Sequence, residues 1–266
     1  MSGMYEDVPA ALSCRDLTVA VPGRRLVASL DLELGRGDFL AVLGQNGAGK
    51  TLTLLTLAGL RTPDAGQVRL GNRPVDSLKR TQVARELGLL PQSVDDVFPA
   101  TVLQTVLVGR HPHIGPFGWE KELDRRLACR SLEDVDLAPL AEREVATLSG
   151  GERRRAAIAQ VLAQDPAVYL LDEPTNHLDP QHQLDVLQLF GDRTRAGAAV
   201  IATLHDVNLA VRFANRCLLL YGDGRWDLGP TESVLNESRL SELYAVPMEA
   251  VRWRGRDLFI PGGNPV

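Results

Sequence analysis

A glycine-rich segment, residues 44–51, carries the residue types that bind phosphate. It reads GQNGAGKT and matches the phosphate-binding loop pattern in full. Glycines let backbone N–H groups close around phosphate oxygens, and a following helix directs its positive end at them. We predict that Lys50 reaches the β- and γ-phosphates and that the Thr51 hydroxyl binds Mg²⁺. The candidate phosphate-binding residues are Gly44, Gln45, Asn46, Gly47, Ala48, Gly49, Lys50 and Thr51.

Two acidic residues, Asp172 and Glu173, follow a short apolar run, residues 167–171. Where a buried strand ends, one carboxylate can hold a metal ion while its neighbour handles a proton. We predict the metal role for Asp172 and the general-base role for Glu173. By itself the segment is also compatible with an acidic turn after a core strand. The phosphate loop upstream favours the catalytic interpretation.

These motifs need a scaffold of strands and helices. Residues 38–43 form an apolar run that stops at the glycine-rich loop, and residues 50–60 are compatible with a helix. Two further apolar runs, residues 167–171 and 198–202, each follow a segment with a helical pattern. Such alternation predicts an α/β fold built on a buried, mainly parallel sheet.

A different pattern interrupts this alternation. Residues 94–147 look helical and contain no convincing strand, whereas residues 226–266 are rich in glycine and proline. We predict one domain over residues 1–266. Its α/β core comprises residues 1–93 and 148–225, with a helical subdomain inserted at 94–147 and a small C-terminal appendage at 226–266.

Composition narrows the classes of partner and compartment. The chain has 266 residues, 44% of them hydrophobic, and 29 Lys and Arg against 34 Asp and Glu give a net charge of −5. This balance does not suggest nucleic-acid binding. We predict that the unpaired cysteines, Cys14, Cys129 and Cys217, are buried thiols of a reducing compartment. No stretch approaches the roughly 20 apolar residues of a spanning helix, and no basic-then-apolar leader begins the chain, so we expect a soluble, cytoplasmic protein.

Residues 148–152, LSGGE, resemble the signature motif of ABC ATPases. A Ser-Gly-Gly sequence alone is also typical of a flexible turn. Further family elements follow the same order as in that family: Gln92 resembles the glutamine of its glutamine loop, Asp179 lies in the loop after the acidic pair, and His205 resembles its switch histidine. The resemblance covers nearly the whole chain.

The resemblance implies an ABC ATPase fold that also has an antiparallel β portion near the N-terminus. It implies ATP and Mg²⁺ as cofactors, with the metal held by Thr51, Gln92 and Asp172, and hydrolysis with Glu173 as base and His205 on the γ-phosphate. Two subunits of the family pack head to tail, so each signature faces the partner's nucleotide and Asp179 serves communication across the dimer. The residues that would act in trans are Ser149, Gly150, Gly151 and Glu152.

Three positions depart from the commonest family pattern. Glu152 replaces a glutamine, Leu52 follows Thr51 where a second hydroxyl is common, and Val21 occupies the position of the aromatic residue that stacks on adenine. None of these changes removes a catalytic group. Losing the aromatic ring would remove about 1–3 kcal/mol of stacking.

The helical region indicates what the hydrolysis drives. Residues 106–115 look like the corresponding region in ATPases of importers for iron siderophores, haem and cobalamin. We therefore expect the motor of a metal-chelate importer, a homodimer at the cytoplasmic face of the cell membrane, bound to two integral-membrane permease subunits and served indirectly by a substrate-binding protein. The alternative is a soluble ABC ATPase that drives assembly or remodelling of a partner protein. No nucleic acid is expected.

Three local patterns receive simpler interpretations. Residues 98–118 are predicted to border a groove that accepts a short helix from each permease subunit. His111 and His113 lack a third ligand, so we do not expect a metal site there. The run of arginines at 153–155 is interpreted as solvated or subunit-facing charge.

Overall fold

The structure is a computed structural model that describes residues 10–93, 99–115 and 118–263. The β-strands in these residues are β1 (Leu12–Val21), β2 (Arg24–Leu34), β3 (Phe39–Leu43), β4 (Ala65–Leu70), β5 (Arg73–Pro74), β6 (Leu87–Leu90), β7 (Val168–Leu171), β8 (Ala199–Thr203), β9 (Arg216–Leu220), β10 (Trp226–Pro230), β11 (Met248–Trp253) and β12 (Arg256–Pro261). The α-helices are α1 (Lys50–Leu57), α2 (Arg80–Glu86), α3 (Val102–Leu107), α4 (Glu122–Glu133), α5 (Gly150–Gln164), α6 (Pro180–Arg195), α7 (Val207–Phe213), α8 (Thr231–Val234) and α9 (Glu237–Tyr244). No helix within the described ranges has the length and apolar character needed to span a membrane.

A six-stranded sheet positions the predicted site. Its strand order is β10-β9-β3-β8-β7-β6, with parallel pairing from β9 to β6 and antiparallel β10 at the edge. All of β3 is buried because the sheet is covered on both faces. Side chains alternate between two hydrophobic cores, with Ala41 and Leu43 in one and Leu40 and Val42 in the other. The carboxyl ends of the parallel strands therefore meet at one edge, where Gln92, Asp172 and His205 follow their strands.

A second sheet lies near the N-terminus. It is antiparallel, with strand order β2-β1-β4-β5, and its buried residues Leu17 and Leu30 belong to the same core as Leu54 of α1. The expected combination of a mainly parallel sheet with an antiparallel β portion is confirmed. Together the two sheets enclose α1, the helix that begins at the phosphate loop.

The described residues between 99 and 147 contain α3, α4 and short 3₁₀ turns, together with an isolated β-bridge from Thr101 to Glu144. The signature helix α5 packs against both α3 and α4. The predicted division at 147/148 is therefore wrong as a packing boundary, because it separates helices that share one core. The sequence pattern assigns the α5 segment to the α/β core because this helix leads directly into β7.

Polar contacts, one of them buried, join the 3₁₀ segment after α3 to α5. The side chain of Arg110 is buried, with its Nε donating to Asp124 Oδ1 at 3.0 Å and Nη1 donating to the Ala163 carbonyl at 2.7 Å. His113 Nε2 lies 2.8 Å from the carbonyl oxygen of Gln164. Both side chains thus hold the 108–113 segment to the C-terminal end of α5.

The predicted permease groove over residues 98–118 needs a correction. The apolar residues along α3 are inside the protein: Val102, Leu103, Val106 and Leu107 are each at most 5% exposed. They face inward because α3 packs on α4 and α5. Apolar surface lies instead at Val108, 43% exposed, and Trp119, 89% exposed. Phe98, Pro116 and Phe117 lie outside the described residues.

The C-terminal appendage begins later than predicted. β10 pairs antiparallel with β9 in the central sheet, and Trp226 Nε1 donates to the Ala28 carbonyl at 2.9 Å. The first strand after residue 225 therefore belongs to the core. Beyond it, α8, α9 and the β11–β12 hairpin follow, and Asn208 of α7 fastens the hairpin through both backbone groups of Phe259, at 2.8 and 3.1 Å.

The cysteines are partly as predicted. Cys14 and Cys217 are fully buried, and burial raises the pKa of Cys14 to about 12 and that of Cys217 to about 11. These two thiols are therefore protonated at neutral pH. Cys129 is only half-buried, so the prediction of three buried thiols is wrong at that position.

Candidate active site

The phosphate loop links β3 to α1. Gly49, with φ of 101°, occupies the N-cap of α1, and a Cβ there would lie 2.9 Å from Leu26 Cβ. The backbone at this position therefore demands glycine for both its conformation and its space. Lys50, the first residue of α1, is buried, and its Nζ donates to the carbonyls of Gly44 at 2.7 Å and Gln45 at 3.2 Å. Burial lowers the pKa of Lys50, and the charges of Glu173 and Asp172 partly oppose that shift.

A cavity of about 580 Å³ opens over this loop. Eight of the predicted site residues line this cavity. They are five residues of the phosphate loop, including Lys50 and Thr51, together with Gln92, Glu173 and His205. Val21, at the supposed adenine position, also lines it. The full lining is Val21, Arg24, Leu26, Asn46, Gly47, Gly49, Lys50, Thr51, Leu52, Gln92, Glu173, Asn176 and His205.

Glu173 is the meeting point of side chains from three strand ends. Its Oε1 lies 2.8 Å from His205 Nε2, and its Oε2 accepts hydrogen bonds from Gln92 Nε2, at 3.1 Å, and from Asn176 Nδ2. The residue has φ of 51°, in the left-handed region. For a residue other than glycine this conformation costs about 1–3 kcal/mol and is typical of functional sites. The strain places the carboxylate in the cavity while its neighbour Asp172 stays behind it.

Asp172 is 2% exposed and does not line the cavity. Its Oδ1 accepts a hydrogen bond from the Thr203 hydroxyl at 2.7 Å, and the same Oγ1 accepts the backbone N–H of Glu173 at 2.7 Å. A single buried hydroxyl at the end of β8 therefore orients both acidic residues.

Sequence reasoning missed several members of the site. Asn176, in the E-P-T-N segment three positions after Glu173, offered a signal as an amide close to the acidic pair. Thr203 also offered one, as a hydroxyl at the end of a predicted strand two residues before His205. Arg24 lines the cavity from the first position of β2 and donates through Nε to the Gly222 carbonyl at 2.7 Å. No local sequence pattern predicts a role for Arg24, because its hydrogen-bond partner Gly222 is distant in the chain.

The interpretation of the arginine run is wrong for its middle member. Arg154 is 4% exposed and donates to four backbone carbonyls, those of Pro91, Gln92, Asp172 and Glu173. It lies on the face of α5 that packs toward the sheet, whereas the neighbouring arginines are half-buried. Burial lowers the pKa of Arg154 to about 10, an effect opposed by Asp172 and Glu173, so it remains a cation at neutral pH.

The signature residues lie at the N-terminus of α5. Ser149 Oγ accepts the backbone N–H of Glu152 at 3.3 Å, and Glu152 Oε2 accepts that of Ser149 at 2.7 Å, a reciprocal cap of the helix. These hydrogen bonds from Ser149 lower the pKa of Glu152. Gly151 approaches the next loop closely, since a Cβ there would lie 3.1 Å from the His177 carbonyl. None of the predicted trans residues belongs to the lining described above.

Asp179 begins the helix after the acidic pair. Its Oδ1 accepts the backbone N–H of His182 at 3.0 Å, and its Oδ2 lies 2.7 Å from His182 Nδ1. These hydrogen bonds, the backbone one first, lower the pKa of Asp179. The residue therefore caps α6 and stays ionised, and it is exposed.

Oxygen donors at the cavity are compatible with a Mg²⁺ ion bound together with phosphates. Thr51 lines it with a hydroxyl and Gln92 with an amide oxygen, since the Nε2 of Gln92 is directed at Glu173. Asp172, the predicted carboxylate ligand, lies outside the lining, and its Oδ1 accepts the Thr203 hydroxyl. Mg²⁺ usually takes one or two carboxylates plus substrate phosphates and water rather than an all-protein cage.

Comparisons with known proteins agree with this geometry. A family model described as ABC transporter matches residues 27–176. The hemin import ATP-binding protein HmuV of Nocardia farcinica is 39% identical over 245 residues, which cover 91% of this chain and 84% of that protein. The petrobactin import ATP-binding protein FpuD of Bacillus anthracis is 34% identical over 235 residues, covering 88% and 86%.

Solved structures show the same fold. A chain from a structure described as a metal-chelate type ABC transporter, in an inward-facing conformation, matches with a TM-score of 0.82 and 32% identity over 96% of this chain and 98% of that chain. A dimeric bacterial ABC transporter cassette matches with a TM-score of 0.70 and 25% identity, covering 81% and 97%. The matched family segment contains the phosphate loop, Gln92, the signature and Glu173. The chain therefore belongs to the ABC transporter family and is one of its ATP-binding, ATP-hydrolysing subunits.

Proposed function

We propose that this chain is the motor subunit of an importer for a metal chelate of the haem or siderophore class. The observation that carries the proposal is the similarity, over most of both chains, to ATP-binding proteins named for hemin and petrobactin import. The similarity to a metal-chelate type transporter structure supports the same class. Cobalamin, the third chelate expected from the sequence, has no such support among these relatives.

The proposed reaction is in-line attack of water on the γ-phosphate of ATP. Lys50, at the start of α1, stabilises charge on the phosphates, and Glu173 accepts a proton from the attacking water. Mg²⁺, when bound, supplies Lewis-acid stabilisation of the phosphate oxygens. His205 Nε2 contacts Glu173 at the exposed side of the cavity. In the proposed reaction its imidazole N–H donates to the γ-phosphate.

Both oxygens of Glu173 are engaged in the structure described. Because Oε2 already accepts hydrogen bonds from Gln92 and Asn176, an attacking water that approaches this oxygen replaces one of these donors. Of these two donors, Gln92 is also a proposed metal ligand through its amide oxygen. We infer that Gln92 turns from Glu173 toward the metal when the site becomes competent.

The second half of each site is proposed to come from another copy of this chain. The capped signature at Ser149 lies outside the lining of its own phosphate cavity, so its N-terminal helix end is available to an anion from elsewhere. The similarity to a dimeric cassette supports this arrangement. Ser149, Gly150, Gly151 and Glu152 would then face the partner's γ-phosphate, and Asp179 would lie beside that contact.

The proposed assembly holds this dimer at the cytoplasmic face of the cell membrane under two permease subunits, with a substrate-binding protein on the far side. A cavity of about 410 Å³ next to exposed Trp119 is the proposed docking place for a permease helix. It is lined by His111, Ile114, Gly118, Trp119 and Glu120.

The test is reconstitution of the chain with its permease in proteoliposomes. ATP hydrolysis and uptake are measured with the substrate-binding protein empty, loaded with haem, or loaded with a ferric siderophore, and Glu173→Gln serves as the inactive control. We expect one loaded form to stimulate both activities. A soluble remodelling ATPase would be indicated by two results together. ATP hydrolysis would be the same with every loaded form of the substrate-binding protein, and the chain would fail to copurify with membrane subunits.

A further inference from the structure

We propose that Arg154 is a positioning residue for hydrolysis, which sets the relative place of Gln92 and Glu173 by holding the backbone of both from the signature helix. The inference rests on the proposed roles of Gln92 and Glu173. It assigns a function to a side chain that makes no contact with the phosphate cavity itself.

The guanidinium group of Arg154 bridges two separate loops. Nη1 donates to the carbonyl of Pro91 at 2.6 Å and that of Gln92 at 3.3 Å, in the loop after β6. Nη2 donates to the carbonyl of Glu173 at 2.8 Å and also to that of Asp172, in the loop after β7. A planar fork can reach both pairs of carbonyls at once, which a lysine ammonium cannot do in the same geometry.

These carbonyls belong to the residues whose side chains meet in the site. Gln92 Nε2 donates to Glu173 Oε2 at 3.1 Å, and the backbones beneath this contact are joined by Arg154. Arg154 also lies in the second turn of α5, the helix that Ser149 caps. A displacement of the signature end of α5 is therefore transmitted to Gln92 and Glu173 together.

The environment of Arg154 argues against a purely stabilising role. The side chain is 4% exposed, and among the described residues its Nε has no hydrogen-bond partner and no carboxylate forms an ion pair with it. The charges of Asp172 and Glu173 offset part of the cost of burying this cation, yet without a direct ion pair it stays a costly way to fill a core. The cost is understandable if the group holds two catalytic loops in register.

Arg155 provides a matched control on the same helix. Its Nη1 donates to the carbonyl of Val135 at 2.9 Å, on the side of the helical subdomain and away from both catalytic loops. Arg154 and Arg155 thus share residue type and helix but differ in the backbone they hold. Substitution at either position removes one arginine from α5, and only the Arg154 change releases the carbonyls of Gln92 and Glu173.

The experiment measures kcat and KM for ATP hydrolysis by the full chain carrying Arg154→Lys, Arg154→Ala or Arg155→Lys, with ATP affinity and thermal midpoint alongside. We expect Arg154→Lys to lower kcat about tenfold to hundredfold, since small misplacements of catalytic groups cost that much. KM and ATP affinity should change less than about twofold, because uniform binding is untouched. Arg155→Lys should keep kcat within about twofold of the unmodified chain.

Chemical rescue of kcat by guanidinium provides a measurement that a purely packing role of Arg154 would not explain. Low-millimolar guanidinium should raise kcat of Arg154→Ala severalfold, because it can occupy the vacated site and bridge the same carbonyls, whereas equal ammonium or urea should not. A variant that does not fold is replaced by Arg154→Gln under the same criteria. Parallel losses of kcat and thermal midpoint in Arg154→Lys and Arg155→Lys, an unchanged kcat in Arg154→Lys, or absence of rescue would overturn the proposal.

This test is separate from that of the importer role. It measures ATP hydrolysis by the chain, whereas uptake into proteoliposomes measures the importer role. A chain that hydrolyses ATP with the expected Arg154 dependence but supports no chelate uptake would overturn the transport proposal alone. A chain that supports uptake while Arg154→Lys keeps full kcat would overturn the positioning proposal alone.

Discussion

His205 Nε2 lies 2.8 Å from Glu173 Oε1, although the two residues follow different strands of the parallel sheet. The Glu173 side chain is 7% exposed and that of His205 is 46% exposed. The histidine therefore contacts the carboxylate from the open side of the cavity, between the proposed base and the space above the phosphate loop. Because the two side chains are in contact, we expect substitution of either residue to affect ATP hydrolysis.

Glu173→Gln should leave ATP binding intact while hydrolysis falls by at least about 100-fold, because an amide cannot accept the proton of the attacking water. The similar shape of the side chain keeps contacts with Gln92 and His205 possible. ATP should then stabilise a dimer of the variant, since bound nucleotide is no longer consumed. Single-turnover hydrolysis and light scattering with ATP measure both effects. Turnover at the rate of the unmodified chain would reject Glu173 as the base.

His205→Ala should lower kcat by about tenfold to hundredfold, because it removes the donor at Glu173 Oε1 and the proposed contact with the γ-phosphate. ATP affinity should change little, as the phosphate loop is intact. Steady-state kinetics and nucleotide titration test this expectation. His113→Ala, which alters a histidine held by the Gln164 carbonyl at the far end of α5, is the control. Equal effects of the two substitutions would contradict the assignment.

Thr203→Val should destabilise the fold by about 1–3 kcal/mol or more, because a buried acceptor on Asp172 and the N–H of Glu173 both lose their partner. The substitution keeps the shape of the side chain, so a cavity does not explain the loss. Denaturant titration gives the free energy of unfolding. Thr203→Ser, which retains the hydroxyl, should recover most of it, and failure to do so would indicate that the methyl group matters more than the hydrogen bonds.

Glu152→Gln should alter the pH dependence of stability. Hydrogen bonds from Ser149 lower the pKa of Glu152 in the folded chain, so its charged cap stabilises the fold above the unfolded pKa and loses that effect as pH falls through the folded pKa. Gln can keep the neutral hydrogen bonds of the cap but has no charge to titrate. Denaturant midpoints of the two chains should therefore converge in acid and diverge toward neutral pH. A constant difference across that range would contradict the prediction.

Trp119→Ala should weaken coupling to the permease. The ring is 89% exposed beside the proposed docking cavity, so its removal takes away apolar contact with the docked helix. The ratio of permease-stimulated to basal hydrolysis, and recovery of the permease on copurification, measure this. Trp253→Ala changes an exposed tryptophan of the C-terminal hairpin, 54% exposed, and should leave both quantities unchanged. Loss of coupling in both variants, or in neither, would move the docking surface elsewhere.

The chemistry of this protein could be predicted from local sequence because its motifs are continuous. The phosphate loop needs only consecutive residues between a strand and a helix, and the Asp172–Glu173 pair needs only the end of a buried strand. Parallel strands meet at one edge, so the ends of the predicted strands before Glu173 and His205 meet there, whereas the strand before Gln92, β6, was not predicted and Gln92 was assigned by resemblance. Their roles remain predictions, while their proximity is observed.

Tertiary packing decided what no local pattern carries. Arg154 lies in a charged run typical of a solvated helix face, yet the orientation of α5 against the sheet buries it beneath two loops. The same packing turned Val102 and Val106 inward and joined α5 to the helical subdomain. β10 entered the central sheet because its partner β9 offered an unpaired edge. Sequence determined which groups could react; the contacts between distant segments determined which of them are buried, paired and held in place.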